Sequence, residues 1–253
     1  MKRLIKLLLG IMPRTALQSL AYIARPFIAL FYRGDRIVCP ICGGRFRKFL
    51  PYGYGIIREG VLCPGCMSLE RHRLMWIYLH DETDIFESKP RLLHIAPERC
   101  FIKYFEQVLE DNYITADLKS PLAKMKMNIE DIPLEDGSVD VVFCNHVLEH
   151  VGDDRRAMAE MFRVMKSGGW GIMLAPVNEA RDTTYEDSAI IKPAERGKAF
   201  GQYDHVREYG ADYPERLSEA GFTVEALKYY AFFGIEEYKR FGLGNDTLYI
   251  VRR

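Results

Sequence analysis

Two groups of residues in this chain have types and spacings that specify chemistry. The first is Cys39-Pro-Ile-Cys42 and Cys63-Pro-Gly-Cys66, two Cys-x-x-Cys pairs with twenty residues between them. Four thiolates satisfy a tetrahedral zinc ion, and each two-residue gap lets one tight turn present two sulfurs to it. Four cysteine ligands leave no open position, so the ion expected at Cys39, Cys42, Cys63 and Cys66 is structural. His72, just beyond Cys66, is then an ordinary helix residue. The second group is polar and lies at the ends of apolar runs: Asp117 after Tyr113 to Ala116, and Asn145, His146, Glu149 and His150 after Val139 to Cys144. A carboxylate such as Asp117 can bond both hydroxyls of a ribose, and an imidazole takes a proton near neutral pH. Cys100 and Cys144 have no activating neighbour in sequence and are expected in the core.

These residues need a scaffold, and the pattern predicts one. Arg91 to Ala96, Tyr113 to Ala116, Val141 to Cys144 and Trp170 to Ala175 are short apolar runs. Helical stretches at Glu98 to Glu110 and Asp153 to Met165 separate them. Strand, loop, helix, turn, strand is the order of a parallel α/β sheet, whose ligands bind at the carboxyl ends of the strands. Met158, Met161, Phe162 and Met165 fall at helical spacing and read as core, and Ser167-Gly168-Gly169 is expected to end their helix in a left-handed turn. Later come a long excursion over Val177 to Tyr203 with a short helix at Pro193 to Phe200, and a helix over Asp212 to Ala220. An antiparallel pair, Thr223 to Phe232 with Leu248 to Val251, follows. Around the cysteines, Phe46 to Leu50 and Ile56 to Leu62 predict a hairpin about Pro51-Tyr-Gly-Tyr-Gly55, followed by a helix from Leu69 to about His80 capped by Ser68. Knuckle, hairpin and helix resemble a treble-clef or ribbon-type zinc finger.

The run Pro133-Leu-x-Asp-x-Ser-x-Asp-Val-Val142, then Leu148-Glu-His150, then Lys166-x-Gly-Gly-Trp170, resembles the class I S-adenosylmethionine-dependent methyltransferases of the type 11 group. The resemblance covers roughly Pro90 to Arg253 and implies a Rossmann-like seven-stranded sheet. It also implies S-adenosylmethionine as cofactor and methyl transfer to an oxygen or nitrogen nucleophile. The first-strand loop of that family is acidic and glycine-rich, whereas this chain has His94-Ile95-Ala96-Pro97-Glu98. His94, small Ala96 and Glu98 are the candidates there, Glu98 as the carboxylate for the methionine ammonium. Asp117 would take the ribose, Asn128 and Ile129 the adenine, and Asn145 would flank the cofactor. Glu130 and Asp131 are expected to be solvated. By the same resemblance His146, His150 and His205 are catalytic candidates, and Arg207 and Tyr185 are candidates for holding the acceptor.

Composition sets the outer limits. At 253 residues, 48% hydrophobic and 28% charged, the chain fits one α/β domain with a small appendage. The expected divisions are an arm over 1–36, a zinc module over 37–82 and the methyltransferase domain over 90–253. Formal net charge is zero, which excludes a generally basic nucleic-acid binder. Residues 1–38 nevertheless hold seven cations against Asp35 alone. Arg14, Gln18, Arg25 and Pro26 interrupt the apolar run, so the arm reads as an amphipathic segment for a membrane interface or for packing on protein, and not as a transmembrane span. The cysteine usage implies a reducing compartment, hence the cytoplasm, and the arm, where it does not pack on protein, would add peripheral contact with the inner face of the membrane. The acceptor class stays open between small molecule, glycan, lipid and protein, with the basic apolar arm favouring a membrane-proximal one, and oligomeric state is not set by these residues. Two other functions fit the sequence: an RNA methyltransferase gripping nucleic acid through Arg45, Arg47, Lys48 and Arg58, and a non-catalytic binding protein of the same fold.

Overall fold

The computed structural model describes residues 14–53 and 57–253. The expected arm residues 1–13 and the tip of the Pro51 to Gly55 turn lie outside them. In chain order the elements are α1 (Arg14–Phe31), β1 (Arg33–Val38), β2 (Arg45–Phe46), β3 (Leu50–Tyr52), β4 (Arg58–Leu62), α2 (Glu70–Asp81), α3 (Ile85–Ser88) and β5 (Leu92–Ile95). Then follow α4 (Arg99–Leu109), β6 (Tyr113–Asp117), β7 (Met125–Lys126), β8 (Val139–Asn145), α5 (Asp154–Val164) and β9 (Met165–Leu174). The last third holds β10 (Tyr185–Glu186), α6 (Pro193–Ala199), β11 (Arg207–Glu208), α7 (Tyr213–Glu219), β12 (Thr223–Leu227), α8 (Ile235–Phe241) and β13 (Leu248–Arg252). Contacts divide them into two compact units, residues 1–77 with 232–244, and residues 78–231 with 245–253.

The second unit is a seven-stranded sheet in the order β7-β6-β5-β8-β9-β13-β12. Strands β7 through β9 run parallel, and β13 is antiparallel to both β9 and β12. Every residue of β5 is buried, as a central parallel strand covered on both faces requires. On α4, Phe101, Phe105 and Leu109 recur at helical spacing and are buried. Phe105 meets the rings of His94, Tyr113 and Phe143, so helix and strands share one aromatic cluster. The α5 helix starts at Asp153, whose side chain accepts the Arg156 N–H at 2.9 Å, and buries Ala157, Met158, Met161 and Val164. The expected left-handed stop at Ser167 to Gly169 is replaced by an immediate passage into β9. Gly168 has φ +80° within that strand, where the β8–β9 register shifts. Gly171 is needed on β9 because a Cβ there would lie 2.4 Å from the Val142 carbonyl oxygen.

In the first unit, β1 pairs with β2 and β3 with β4, both antiparallel. Ser68 does not simply cap α2. Its Oγ lies 3.5 Å from Cys39 Sγ and 3.2 Å from Cys66 Sγ, while His72 Nδ1 accepts the Leu69 N–H at 3.1 Å in the first turn. Among the described residues no helix is long and apolar enough to cross a membrane.

Candidate active site and four-cysteine centre

The sheet reverses its order of growth between β5 and β8, and open parallel sheets bind ligands at the carboxyl ends of the strands beside such a point. His94 is wholly buried on β5. Its Nδ1 is 2.8 Å from the Tyr113 hydroxyl and its Nε2 is 2.6 Å from Glu98 Oε2. The other Glu98 oxygen accepts the Asn145 side-chain N–H from the end of β8 at 3.1 Å. A carboxylate is thereby fixed between the two central strands. Ala96, at the turn after β5, has φ +50°, and His146, at the turn after β8, has φ +55°. Left-handed backbone at non-glycine residues concentrates at functional turns. Ala96 occupies the conformation that a glycine would otherwise supply.

Asp117 ends β6, and its Oδ1 accepts the N–H groups of Lys119 and Ser120 at 2.6 and 2.5 Å. Both bonds fall on one oxygen, so the turn orients the carboxylate without engaging Oδ2 in these contacts. Asn128 is exposed, and its Oδ1 already receives the Glu130 N–H at 3.2 Å, while Ile129 beside it is buried. Glu130 departs from the solvated role expected of it: its Oε1 accepts the Asp153 N–H at 2.9 Å and so ties this loop to the start of α5.

Beyond β8 a single 3-10 turn, Leu148–His150, brings the histidines together. Glu149 is 1% exposed, and its Oε1 lies 3.3 Å from His146 Nδ1. Burial pushes its carboxyl up, yet the His146 hydrogen bond and the neighbouring His146 and His150 rings hold it below the ordinary value. His205 arrives from the distant excursion because the Val206 N–H donates to the Glu149 carbonyl at 2.9 Å. Its ring meets that of His150 edge to face, centroids 4.7 Å apart. Burial lowers the His205 pKa, with His150 acting in the same direction against the raising effect of Glu149.

Arg207 does not reach an acceptor. It is 2% exposed, and its guanidinium donates to the carbonyls of Leu148, Val151 and Gly152 at 2.6, 2.6 and 2.9 Å and to Glu186 at 3.0 Å. These bonds hold the histidine turn in place. Beneath it Asp154 accepts from Arg216 and from the Tyr209 hydroxyl, the latter at 2.7 Å. Burial opposes ionisation of Asp154, but Arg216, Arg207 and Tyr209 together keep its carboxyl below the usual range. Tyr185 pairs with Glu208 in the β10–β11 ladder and packs on Phe200 at 5.5 Å, half-buried on the same hairpin. A cleft of about 520 Å³ lined by Arg91, Asp140, Lys166 and Trp170 opens at the amino ends of the strands, opposite these groups. The Asp140–Lys166 ion pair lines it, and none of the candidate residues does.

In the other unit the four cysteine sulfurs lie within 4.8 Å of one another, with Cys39–Cys66 at 3.6 Å and Cys42–Cys63 at 3.8 Å. A tetrahedral zinc with bonds near 2.3 Å sets its sulfurs about 3.8 Å apart, so the four residues fit that ion. Arg73 behind them is fully buried and donates to the carbonyls of Ser68, Val61 and Phe241 at 2.9, 3.0 and 2.9 Å, and to Gly242.

The parallel sheet with one antiparallel strand inserted near its end is a Rossmann-like methyltransferase fold. Residues 100–173 match the family model described as a methyltransferase domain. A probable S-adenosylmethionine-dependent methyltransferase of Mycolicibacterium smegmatis is 34% identical over 103 residues, 39% of this chain and 34% of the relative. One of Mycobacterium tuberculosis is 33% identical over 104 residues, 41% of this chain and 34% of the relative. The match thus spans about a third of the length of these relatives. Among solved structures, a 1,6-didemethyltoxoflavin-N1-methyltransferase of Burkholderia thailandensis, with that compound and S-adenosylhomocysteine bound, is 13% identical with a TM-score of 0.45. That likeness covers 72% of this chain and 76% of the other.

Proposed function

We propose that this protein transfers a methyl group from S-adenosylmethionine to an oxygen or nitrogen of an acceptor held over His146, His150 and His205. The observation that carries the reading is the Glu98 carboxylate fixed between His94 and Asn145 at the switch point, with Asp117 at the end of the adjacent strand. Glu98 and Asn145 suit the methionine end of the cofactor, Asp117 the ribose, and Ile129 with Asn128 the adenine. S-adenosylmethionine, when bound, supplies a sulfonium-activated methyl group. The chain's own part is alignment and proton removal, since a reactive electrophile needs chiefly a positioned nucleophile. His146, oriented by Glu149, takes the proton of the acceptor, and the turn locked by Arg207 keeps it in place.

Calorimetry with S-adenosylmethionine tests this directly. Binding is expected in the wild type, with at least a tenfold loss in Asp117→Ala; no heat at millimolar cofactor would overturn the reading and favour a non-catalytic binding protein.

We infer that the acceptor lies near a membrane surface, a reading supported by the apolar face of α1. Leu20, Ile23, Phe27, Leu30 and Phe31 are all more than half exposed and recur at helical spacing, an apolar stripe suited to a lipid interface. Sedimentation of the intact protein with anionic liposomes, lost on Phe27→Ser with Phe31→Ser, is the expected result. The RNA reading has less support: Arg45 and Arg58 are paired with Asp35 and Glu70, each at 2.8 Å, which cancels charge on the finger. The four cysteines are proposed to hold a structural zinc ion.

A further inference from the structure

Glu149, His150 and His205 share a feature that proton transfer alone does not use. One ligand atom from each lies within 4.8 Å of the other two. The His205 Nδ1 faces the Phe200 carbonyl at 3.1 Å, and the His150 Nδ1 faces the Asp204 carbonyl at 3.2 Å. A carbonyl oxygen only accepts, so each Nδ1 carries the proton and each Nε2 presents its lone pair. This carbonyl-anchored tautomer is the one that orients metal-bound histidines. The third group is Glu149, whose Oε2 is buried and accepts no hydrogen bond among the described residues. A buried anionic oxygen without a donor is strongly disfavoured unless a positive charge meets it.

We propose that Glu149, His150 and His205 bind a divalent transition-metal ion, distinct from the ion of the four cysteines. Two imidazoles and one carboxylate suit zinc, iron(II) or cobalt(II), and bonds near 2.1 Å place tetrahedral ligand atoms about 3.4 Å apart. The exposed ring of His150 can rotate to close the remaining distance. Three protein ligands leave positions open, unlike the closed cysteine site. An oxygen of the acceptor fits there, where the ion would make its hydroxyl more acidic beside His146. The ion site stands on geometry alone, whereas its contact with an acceptor rests on the methyl-transfer reading.

The test uses the full chain with the four-cysteine site filled with zinc, titrated with cobalt(II). One further ion per chain is expected, with weak visible bands of a nitrogen–oxygen site and no thiolate charge-transfer band. His205→Ala and Glu149→Gln should each weaken cobalt binding at least tenfold, and Cys42→Ser should leave this second set of bands in place. In the wild-type protein two exchangeable imidazole N–H proton signals should be shifted by the paramagnetic ion, a readout that needs no variant. Absence of any ion beyond the cysteine-bound one, or unchanged cobalt affinity in both variants, overturns the proposal. Because S-adenosylmethionine binding is measured separately by calorimetry, failure of this site and failure of the methyltransferase reading are distinguishable.

Discussion

The four-cysteine centre and the mouth of the sheet are both polar sites in a mostly apolar setting, yet they are assembled on different scales. The cysteines span residues 39 to 66, and two tight turns deliver all four sulfurs to one point. The mouth collects His94, Glu98, Asp117, Asn145, Glu149 and His205 from four separate segments, and a buried arginine network positions the last two. On the zinc reading proposed above, the first kind of site depends on an ion to hold its two turns together. The second depends on a large core already formed. One therefore fails by losing its ligand, the other by losing its packing.

The comparison breaks most sharply at Cys63. Cys63→Ser should release the ion and unfold residues 33–66, because structural zinc supplies on the order of 10 kcal/mol in small zinc-dependent domains. Metal analysis with hydrogen exchange checks this, and retained protection of β3 and β4 would remove the structural role. Asp154→Asn should come next, costing about 3–5 kcal/mol by leaving Arg207 and Arg216 without their shared buried anion. The pH dependence follows from the same residue. Its folded pKa lies below the ordinary 3.8, so the unfolded chain binds more protons in that range. Its contribution is complete above pH 3.8 and is lost as pH falls through the folded value. Urea midpoints measured from pH 6 down to pH 3 should drop more steeply in the wild type than in Asp154→Asn. The smallest effect is expected at the switch point, where Ala96→Gly relieves left-handed strain and should raise stability by about 0.5–1 kcal/mol while S-adenosylmethionine affinity is kept.

Much of the sheet was legible because its strands are apolar runs of fixed length. Leu92 to Ile95, Tyr113 to Asp117 and Val139 to Asn145 fall within two residues of the stretches the sequence marks. The cysteine cluster was legible for the reason just given, local spacing. Arg207 was not, since nothing in Asp204-His-Val-Arg-Glu208 distinguishes a guanidinium that faces solvent from one that fills its donors with the carbonyls of residues 148 to 152. The two-residue strands β7, β10 and β11 are too short to show a period. Glu149 was marked by its place between His146 and His150, but its burial was not legible, since a short polar turn gives no sign that it will be covered. The excursion after β9 reads as a loop by composition, and only tertiary contacts show that it returns His205 to the histidine turn.

Arg73 has a consequence for how this protein can be cut. Its guanidinium takes carbonyls from Val61 and Ser68 on one side and from Phe241 and Gly242 on the other, so the cysteine-bearing unit is completed by a segment translated some 170 residues later. The chain passes through this unit up to residue 77, leaves, and visits it again through residues 232–244. A fragment ending near residue 82 would lack α8 and leave a fully buried cation without two of its acceptors. During synthesis, the same unit stays incomplete until residues 232–244 have emerged, so the order of residues along the ribosome is not the order in which the two parts can finish folding.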